Sequence, residues 1–462
     1  MPLDRTDRLL LPALLALNAL LKFNWLGVNE LSGDEPFTVY WSLRGLPGIL
    51  HMLQGENNPP LYFLIMKAWA SVVPLEPAWL RIPSAVFSTL TAWPLFLLAR
   101  RLAGRSVAIT TVLLFTFSSH HFGFAHEVRA YSLFTLLTVA GFAQLTLMRD
   151  RPAVRSRDTA ALAAIDVLLV YTHFFGWLAI GMQLVCAGLC TGWKPLRRNS
   201  LIAAGIALLT YLPYAPIFLG RTGKSVAEGT WVTSPTWEEP YNMLWRWSNR
   251  PVIAVFFLAA VLFGAWKCRL RAPALQAGLL WSFVPLIGLF LVSFVVPVYV
   301  DRYLVWAAPG FALAVAASLA QVPQARLHTA LSVAACASML LTLAPWKDNG
   351  RRPSRVVAQV NAWSTPHRTV VLFPHHYELT YAYHLDDRLF RTDSSLSRGL
   401  AERRTIAVYL HDSLPALDPM GPVLLVRSGD GFPALYARLR SGYPAIDSVE
   451  ADHRVWVYRF RH

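Results

Sequence analysis

The sequence predicts a polytopic α-helical membrane protein that ends in a small α/β domain. Three observations point there: the composition, the spacing of the apolar runs, and the basic residues that punctuate them. Of 462 residues, 55% are hydrophobic and only 15% are charged, with 17 Trp. A soluble domain of that length would carry far more charge. The formal net charge of +15 lies in short clusters between the apolar runs. That is the positive-inside pattern, and it argues against nucleic acid as a partner.

A helix crossing the hydrocarbon core needs about 20 mostly apolar residues. Roughly eleven segments qualify: 8–27, 78–99, 106–123, 130–148, 159–174, 176–193, 201–219, 251–266, 275–297, 303–321 and 328–346. The first run has no small-residue cleavage site at its end, so it reads as an uncleaved helix. Orientation follows from the clusters at Arg5 and Arg8, Arg100 to Arg105, Arg149 to Arg157, Lys194 to Arg198, Lys267 to Arg271, and Arg326. With the N-terminus inside and eleven spans, all of these face the cytoplasm and the C-terminus lies outside. The apolar stretch Pro59 to Val73 opens with two prolines and carries Lys67. As a span it would invert every later loop, so it reads as a helix lying in the outer interface.

The membrane domain is then 1–346. The region 347–462 is expected to be a soluble extracytoplasmic α/β domain. Its runs "TVVLFP", "TIAVYL", "PVLLVRS" and "RVWVYRF" read as strands, and "ALYARLR" reads as a helix. The four cysteines, Cys186, Cys190, Cys268 and Cys336, lie in or beside spans and indicate no disulfide framework.

Ionisable residues at membrane depth are costly and mark function by default. On this topology the outer side collects Asp34 and Glu35, "HEVRAYS" with Glu127, Arg129 and Tyr131, "YTHFFG" with His173, and "DRYLVWAAPG" with Arg302 and Tyr303. Plainer roles exist for each. Asp34 suits a helix N-cap before Pro36, Glu127 and Arg129 suit a solvated loop pair, Asp301 and Arg302 suit an ion pair at a helix start, and His173 suits a packing residue. His120, His121, His126 and Glu127 match no standard metal-ligand spacing.

In order along the chain, the Asp34–Glu35 pair, "NNPPLYFLIMKAW", "RIPSAVFSTLTAWPLFLLARRLAGR", "EVRAYSL" and "DRYLVWAAPG" together resemble the GT-C glycosyltransferases. The branch they resemble holds the bacterial relatives of dolichyl-phosphate-mannose protein mannosyltransferases (glycosyltransferase family 39) and the lipid A aminoarabinose transferases. The resemblance implies an enzyme of the cell inner (plasma) membrane that moves a sugar from a polyprenyl-phosphate donor to an acceptor hydroxyl on the extracytoplasmic face. Asp34 is the expected general base, with Glu35 supporting it. Arg129 and Arg302 are expected on the donor phosphate, and Glu127, His173, Tyr131 and Tyr303 on substrate. No obligatory cofactor is expected, and the sequence leaves a divalent metal open. The mannosyltransferases carry a β-trefoil in a middle loop, whereas the longest middle loop here is 220–250, which favours a glycan or lipid acceptor over a protein. The competing reading is a flippase for a polyprenyl-linked or lipid substrate. It requires ionisable groups buried in mid-span, for which Asp166 is the clearest candidate.

Overall fold

The computed structural model describes residues 4–230, 232–365, 367–391, 396–408, 417, 421–429 and 433–461. The chain forms two compact units. One comprises Met1–Trp25, Leu46–Ile65 and Arg81–Pro345; the other comprises Leu26–Gly45, Met66–Leu80 and Trp346–His462. The sequence reading kept the whole first outer loop with the membrane domain. In the structure, Leu26–Gly45 and Met66–Leu80 gather with the tail instead.

The first unit is helical. Among the described residues, seven helices are long and apolar enough to cross a membrane: Pro77–Ala103, Tyr131–Arg149, Lys194–Glu228, Pro251–Cys268, Pro273–Val292, Asp301–Leu319 and Ala325–Thr342. The pair Arg105–Thr116 and Ser119–Ala125, bent by 59°, makes an eighth if it acts as one span. The chain is thus a multi-pass membrane protein, but three of the eleven expected spans do not meet the same requirement. Helices Ser156–Thr172 and Gly176–Leu189 are only about 25 and 21 Å long, against a hydrocarbon core of roughly 30 Å. Arg5–Phe23 is long enough but carries Asp7, Arg8 and Lys22. The helix Leu61–Ala70, within the stretch expected to lie in the interface, is about 15 Å long and too short to span.

Arginines from two of the basic clusters meet acids at one end of this unit. Asp7 accepts from Arg105 Nε at 2.8 Å and from Arg100 Nε at 3.1 Å. Arg101 reaches Asp150 at 3.2 Å, and Arg151 reaches Asp158 at 2.7 Å. The start of the first helix, the end of Pro77–Ala103 and the loop after Tyr131–Arg149 are therefore neighbours. At the centre runs Ala308–Leu319, every residue of which is buried. Its small side chains allow close approach, the usual basis of helix packing in membranes. A Cβ on Gly278 would lie 2.7 Å from the Gly310 carbonyl, and one on Gly264 would lie 2.4 Å from Ser318 Oγ. Large apolar side chains face outward on the peripheral helices, among them Val252, Trp266 and Leu341, as a lipid-facing surface requires.

The second unit is built on a five-stranded sheet: β1 Thr369–Phe373, β2 Thr405–Ala407, β3 Val423–Ser428, β4 Ala445–Asp452 and β5 Val455–Arg461, in the order β2-β1-β3-β5-β4. β2, β1 and β3 are parallel, while β5 is antiparallel to both β3 and β4. Val371, Phe373, Val423, Leu425 and Phe460 share one face and pack with Leu439 and Tyr443 of the Pro433–Gly442 segment and its end. The four runs read as strands contain β1, β2 and β3 and all but the last residue of β5; the last residues of "TIAVYL" lie outside the described residues. β4 has no counterpart in the sequence reading because "AIDSVEAD" is a polar edge strand with little apolar alternation.

Candidate active site

The acid pair lies in the second unit. After Gly33, whose φ of +60° turns the chain, Asp34 takes the N-cap position of helix Glu35–Ser42, with proline in its first turn. Its side chain makes no capping hydrogen bond, although Asp is among the best N-cap residues. Asp34 is exposed and Glu35 is buried. Glu35 Oε2 lies 3.5 Å from the Ser32 amide.

The loop carrying the pair is fastened to the tail along its length. Glu30 Oε2 accepts from the Ser354 amide at 2.9 Å and its Oε1 from the Ser354 hydroxyl at 2.6 Å. This places a carboxylate at the N-terminus of helix Pro353–Ala362. His384 Nε2 lies 2.8 Å from the Leu31 carbonyl oxygen, and the Asn349 amide donates to Asn29 Oδ1 at 2.9 Å. Helix Glu35–Ser42 packs on helix Glu378–Leu385, and Tyr40 meets Phe390 edge-on at 5.3 Å. Arg44 donates to the Phe390 carbonyl and stacks on Tyr40 with Cζ 4.4 Å from the ring centre. Just before Glu378, His376 feels the charge of Asp34. Burial lowers the His376 pKa and the Asp34 carboxylate opposes that shift.

The arginines lie in the first unit and gather around His173. This histidine, in the turn that closes helix Ser156–Thr172, stacks on Phe134 at 4.8 Å with the rings 3° from parallel. Tyr131 and Tyr303 flank it at 6.0 and 5.8 Å. The ring is buried, and its Nδ1 accepts from the Phe175 amide at 3.1 Å, as only a neutral imidazole can. Arg129 Cζ sits 6.0 Å from the Tyr131 ring and Arg302 Cζ sits 5.8 Å from the Tyr303 ring. Arg129 Nη2 donates to Asn58 Oδ1 at 3.3 Å, while Asp301 Oδ1 takes the Arg302 amide at 2.8 Å.

Three loops remote in sequence thus bring Arg129, Tyr131, His173, Arg302 and Tyr303 together. Glu127 joins through its carbonyl, which accepts from the Arg129 amide at 2.8 Å. Asp34 and Glu35 belong to the other compact unit. Asn58 and Ser84 are partners the sequence reading assigned no role: Tyr214 OH lies 3.4 Å from the Asn58 carbonyl, and Ser84 Oγ lies 2.8 Å from Tyr62 OH. The "NN" before the two prolines was the available signal. His376 had none. Among the described residues, no three His, Cys, Asp or Glu side chains gather as a metal site would need.

No protein-family model and no curated protein matches the sequence. Solved structures do match. ArnT from Cupriavidus metallidurans bound to undecaprenyl phosphate is similar with a TM-score of 0.62 at 15% identity, over 99% of this chain and 98% of that one. Its apo state gives the same TM-score over 97% of each chain. The archaeal oligosaccharyltransferase AglB from Archaeoglobus fulgidus, in complex with an inhibitory peptide and a dolichol-phosphate, gives 0.53 at 12% identity, over 83% of this chain and 64% of that one. At such identities the likeness is one of architecture: along almost its whole length the chain shares the fold of the ArnT structures.

Proposed function

We propose that this protein is a membrane glycosyltransferase that moves a sugar from a polyprenyl-phosphate donor to an acceptor hydroxyl on the extracytoplasmic face. The supporting observation is that Arg129 and Arg302, through Tyr131 and Tyr303, converge on one neutral histidine in a chain whose fold matches, along almost its whole length, a protein solved with undecaprenyl phosphate. In the reaction, the acceptor oxygen attacks the anomeric carbon and the bond from that carbon to the lipid phosphate breaks. The phosphate leaves with the electron pair, and a carboxylate takes the acceptor proton. Guanidinium groups suit the first demand because their planar donor fork matches phosphate oxygens as charge develops. His173, being neutral, adds no third charge and fixes the two tyrosines that flank the arginines. Asp34 suits the second demand as an exposed carboxylate whose side chain does not cap its helix.

The acceptor is a glycan or lipid in this reading, since the middle loops hold no inserted domain of the size a protein-modifying relative carries. The test is transfer of radiolabelled sugar from synthetic polyprenyl-phosphate donors by the purified protein, run beside mass spectrometry of envelope glycans with and without it. A protein that binds polyprenyl phosphate yet transfers sugar neither to an acceptor nor to water, with envelope glycans unchanged by its loss, would leave the flippase as the better reading.

A further inference from the structure

Three helices of the first unit, Tyr131–Arg149, Ser156–Thr172 and Arg197–Tyr211, border an open cavity of about 740 Å³. Pockets that hold small ligands measure roughly 300–1,000 Å³. The cavity lies at the end of the unit that the positive-inside rule turns to the cytoplasm. His173 stands at the other end of Ser156–Thr172, about 25 Å along the helix, so the cavity is separate from the candidate active site.

Two kinds of side chain line it. At the aqueous end are Arg149, Arg151, Arg198 and Asn199, whose amide donates to Thr159 Oγ1 at 2.8 Å. Two of these arginines are engaged: Arg149 Nη2 donates to Asp150 Oδ1 at 2.8 Å, and Arg151 Nη1 donates to Asp158 Oδ2 at 2.7 Å. Arg198 is exposed, and among the described residues no hydrogen bond or ion pair holds it. Residues 149–158 and 194–198 carry seven Lys and Arg against Asp150 and Asp158, so the protein itself leaves this corner strongly positive. Deeper in, the lining is apolar. Ile202 and Ile206 sit one helical turn apart, 43% and 39% exposed, roughly 7.5 and 13.5 Å along the axis from Arg197.

A cation at the interface above a ladder of isoleucines matches a ligand with an anionic head and hydrocarbon chains. A free phosphate would use the arginine and leave the isoleucines uncovered. The neighbouring helices favour a lipid as well. Ser156–Thr172 and Gly176–Leu189 are shorter than the hydrocarbon core, a mismatch that thins the bilayer locally. Thinning brings head groups to the depth of the helix ends, and Gly192, just beyond Gly176–Leu189, lines the cavity. Basic pockets between transmembrane helices on the cytoplasmic side suit lipid head groups for the same reason.

We infer that this cavity binds the head group of an anionic phospholipid of the cytoplasmic leaflet, with Arg198 on its phosphate and its chains along Ile202 and Ile206. The lipid then bridges the starts of Ser156–Thr172 and Arg197–Tyr211, which pack on each other, and braces the helix whose far end carries His173.

The experiment is native mass spectrometry of the purified full chain in detergent, titrated with phosphatidylglycerol, phosphatidylcholine of the same chains, and glycerol 3-phosphate. Phosphatidylglycerol should bind at least about 10-fold more tightly than either of the others. Arg198→Glu should weaken it by about 10-fold or more. Ala160→Trp, at an exposed lining position, fills the cavity without altering charge and should do the same. Arg326→Glu makes the same charge change on another basic loop and should leave binding within about 2-fold, as should Arg129→Ala and Arg302→Ala at the candidate active site. Thermal midpoints show which variants are folded, and the comparison of the three probes stands on the wild-type protein alone. Equal binding of phosphatidylcholine, equal loss in Arg326→Glu, or unweakened binding in the folded cavity variants overturns the site. Glycerol 3-phosphate binding as tightly as the lipid makes this a site for soluble phosphates and overturns the lipid, and loss in Arg129→Ala or Arg302→Ala moves the lipid to the active site.

Discussion

Replacement of Asp34 by asparagine separates chemistry from structure because of the particular geometry of the acid pair. Asp34 occupies an N-cap position, and a capping Asp typically contributes about 1 kcal/mol to its helix. Its side chain makes no capping bond here, so the change removes no cap, and the thermal midpoint is measured beside activity. Asn also caps about as well as Asp, so no shift is expected if the side chain rotates in. What the amide cannot do is accept a proton. General-base assistance is worth about 10²–10⁴-fold, or roughly 2.7–5.5 kcal/mol of barrier. The assay is single-turnover sugar transfer from a polyprenyl-phosphate donor at saturating acceptor, with donor binding measured separately. A loss of 100-fold or more, with unchanged thermal midpoint and donor affinity, is expected. A second readout comes from His376: without the opposing Asp34 charge, burial alone acts on it, and its pKa should fall further, visible as a shifted NMR titration. Near wild-type turnover in Asp34→Asn would remove Asp34 as the base and make Glu127 the next carboxylate to test.

Other perturbations follow from the same geometry. Arg129→Ala and Arg302→Ala should each weaken undecaprenyl phosphate binding by about 10-fold or more, and lysine should rescue poorly because an ammonium lacks the planar fork; full rescue at both sites would mean charge alone matters. For topology, an extracytoplasmic reporter fused after Gly350 should be active and one fused at Arg101 silent; activity at Arg101 would invert the assigned sides. Glu30→Ala removes two hydrogen bonds to Ser354 and should increase proteolysis within Leu26–Gly45, and equal proteolysis would mean the loop is held elsewhere.

Much of the helical framework is legible in the sequence because lipid imposes a one-dimensional demand. A run of about 20 apolar residues is both necessary and visible, and eight predicted segments coincide with helices able to span or with the bent pair. Composition fails where helices are short or charged. Arg5–Phe23 keeps Asp7 because Arg100 and Arg105 lie against it, and those partners are invisible in an apolar count. Ser156–Thr172 and Gly176–Leu189 are separated by a turn at His173 that a hydropathy window smooths over. In the tail, β4 is missed for the opposite reason: an edge strand tolerates charge on both faces, so Ala445–Asp452 has no apolar signature.

The candidate site divides along the same line. Arg129, His173 and Arg302 stand out because charges and histidines beside apolar runs are rare, and their rarity is a local property. Their convergence is not local: it depends on Phe134 stacking on His173 and on the Asp301–Ala307 turn that leads into the buried helix Ala308–Leu319. The tail residues are harder still. Nothing in "PHHYE" distinguishes His376 from an ordinary loop histidine, since its position follows from β1 ending beside β3 and from helix Glu378–Leu385 packing on a helix more than three hundred residues earlier. Glu30 and Ser354 are 324 residues apart, and Leu31 and His384 are 353 apart. Contacts of that separation leave no periodicity for a sequence window to detect. The segment of the chain that carries the proposed base is therefore placed by residues that a reading of the first loop alone would never include.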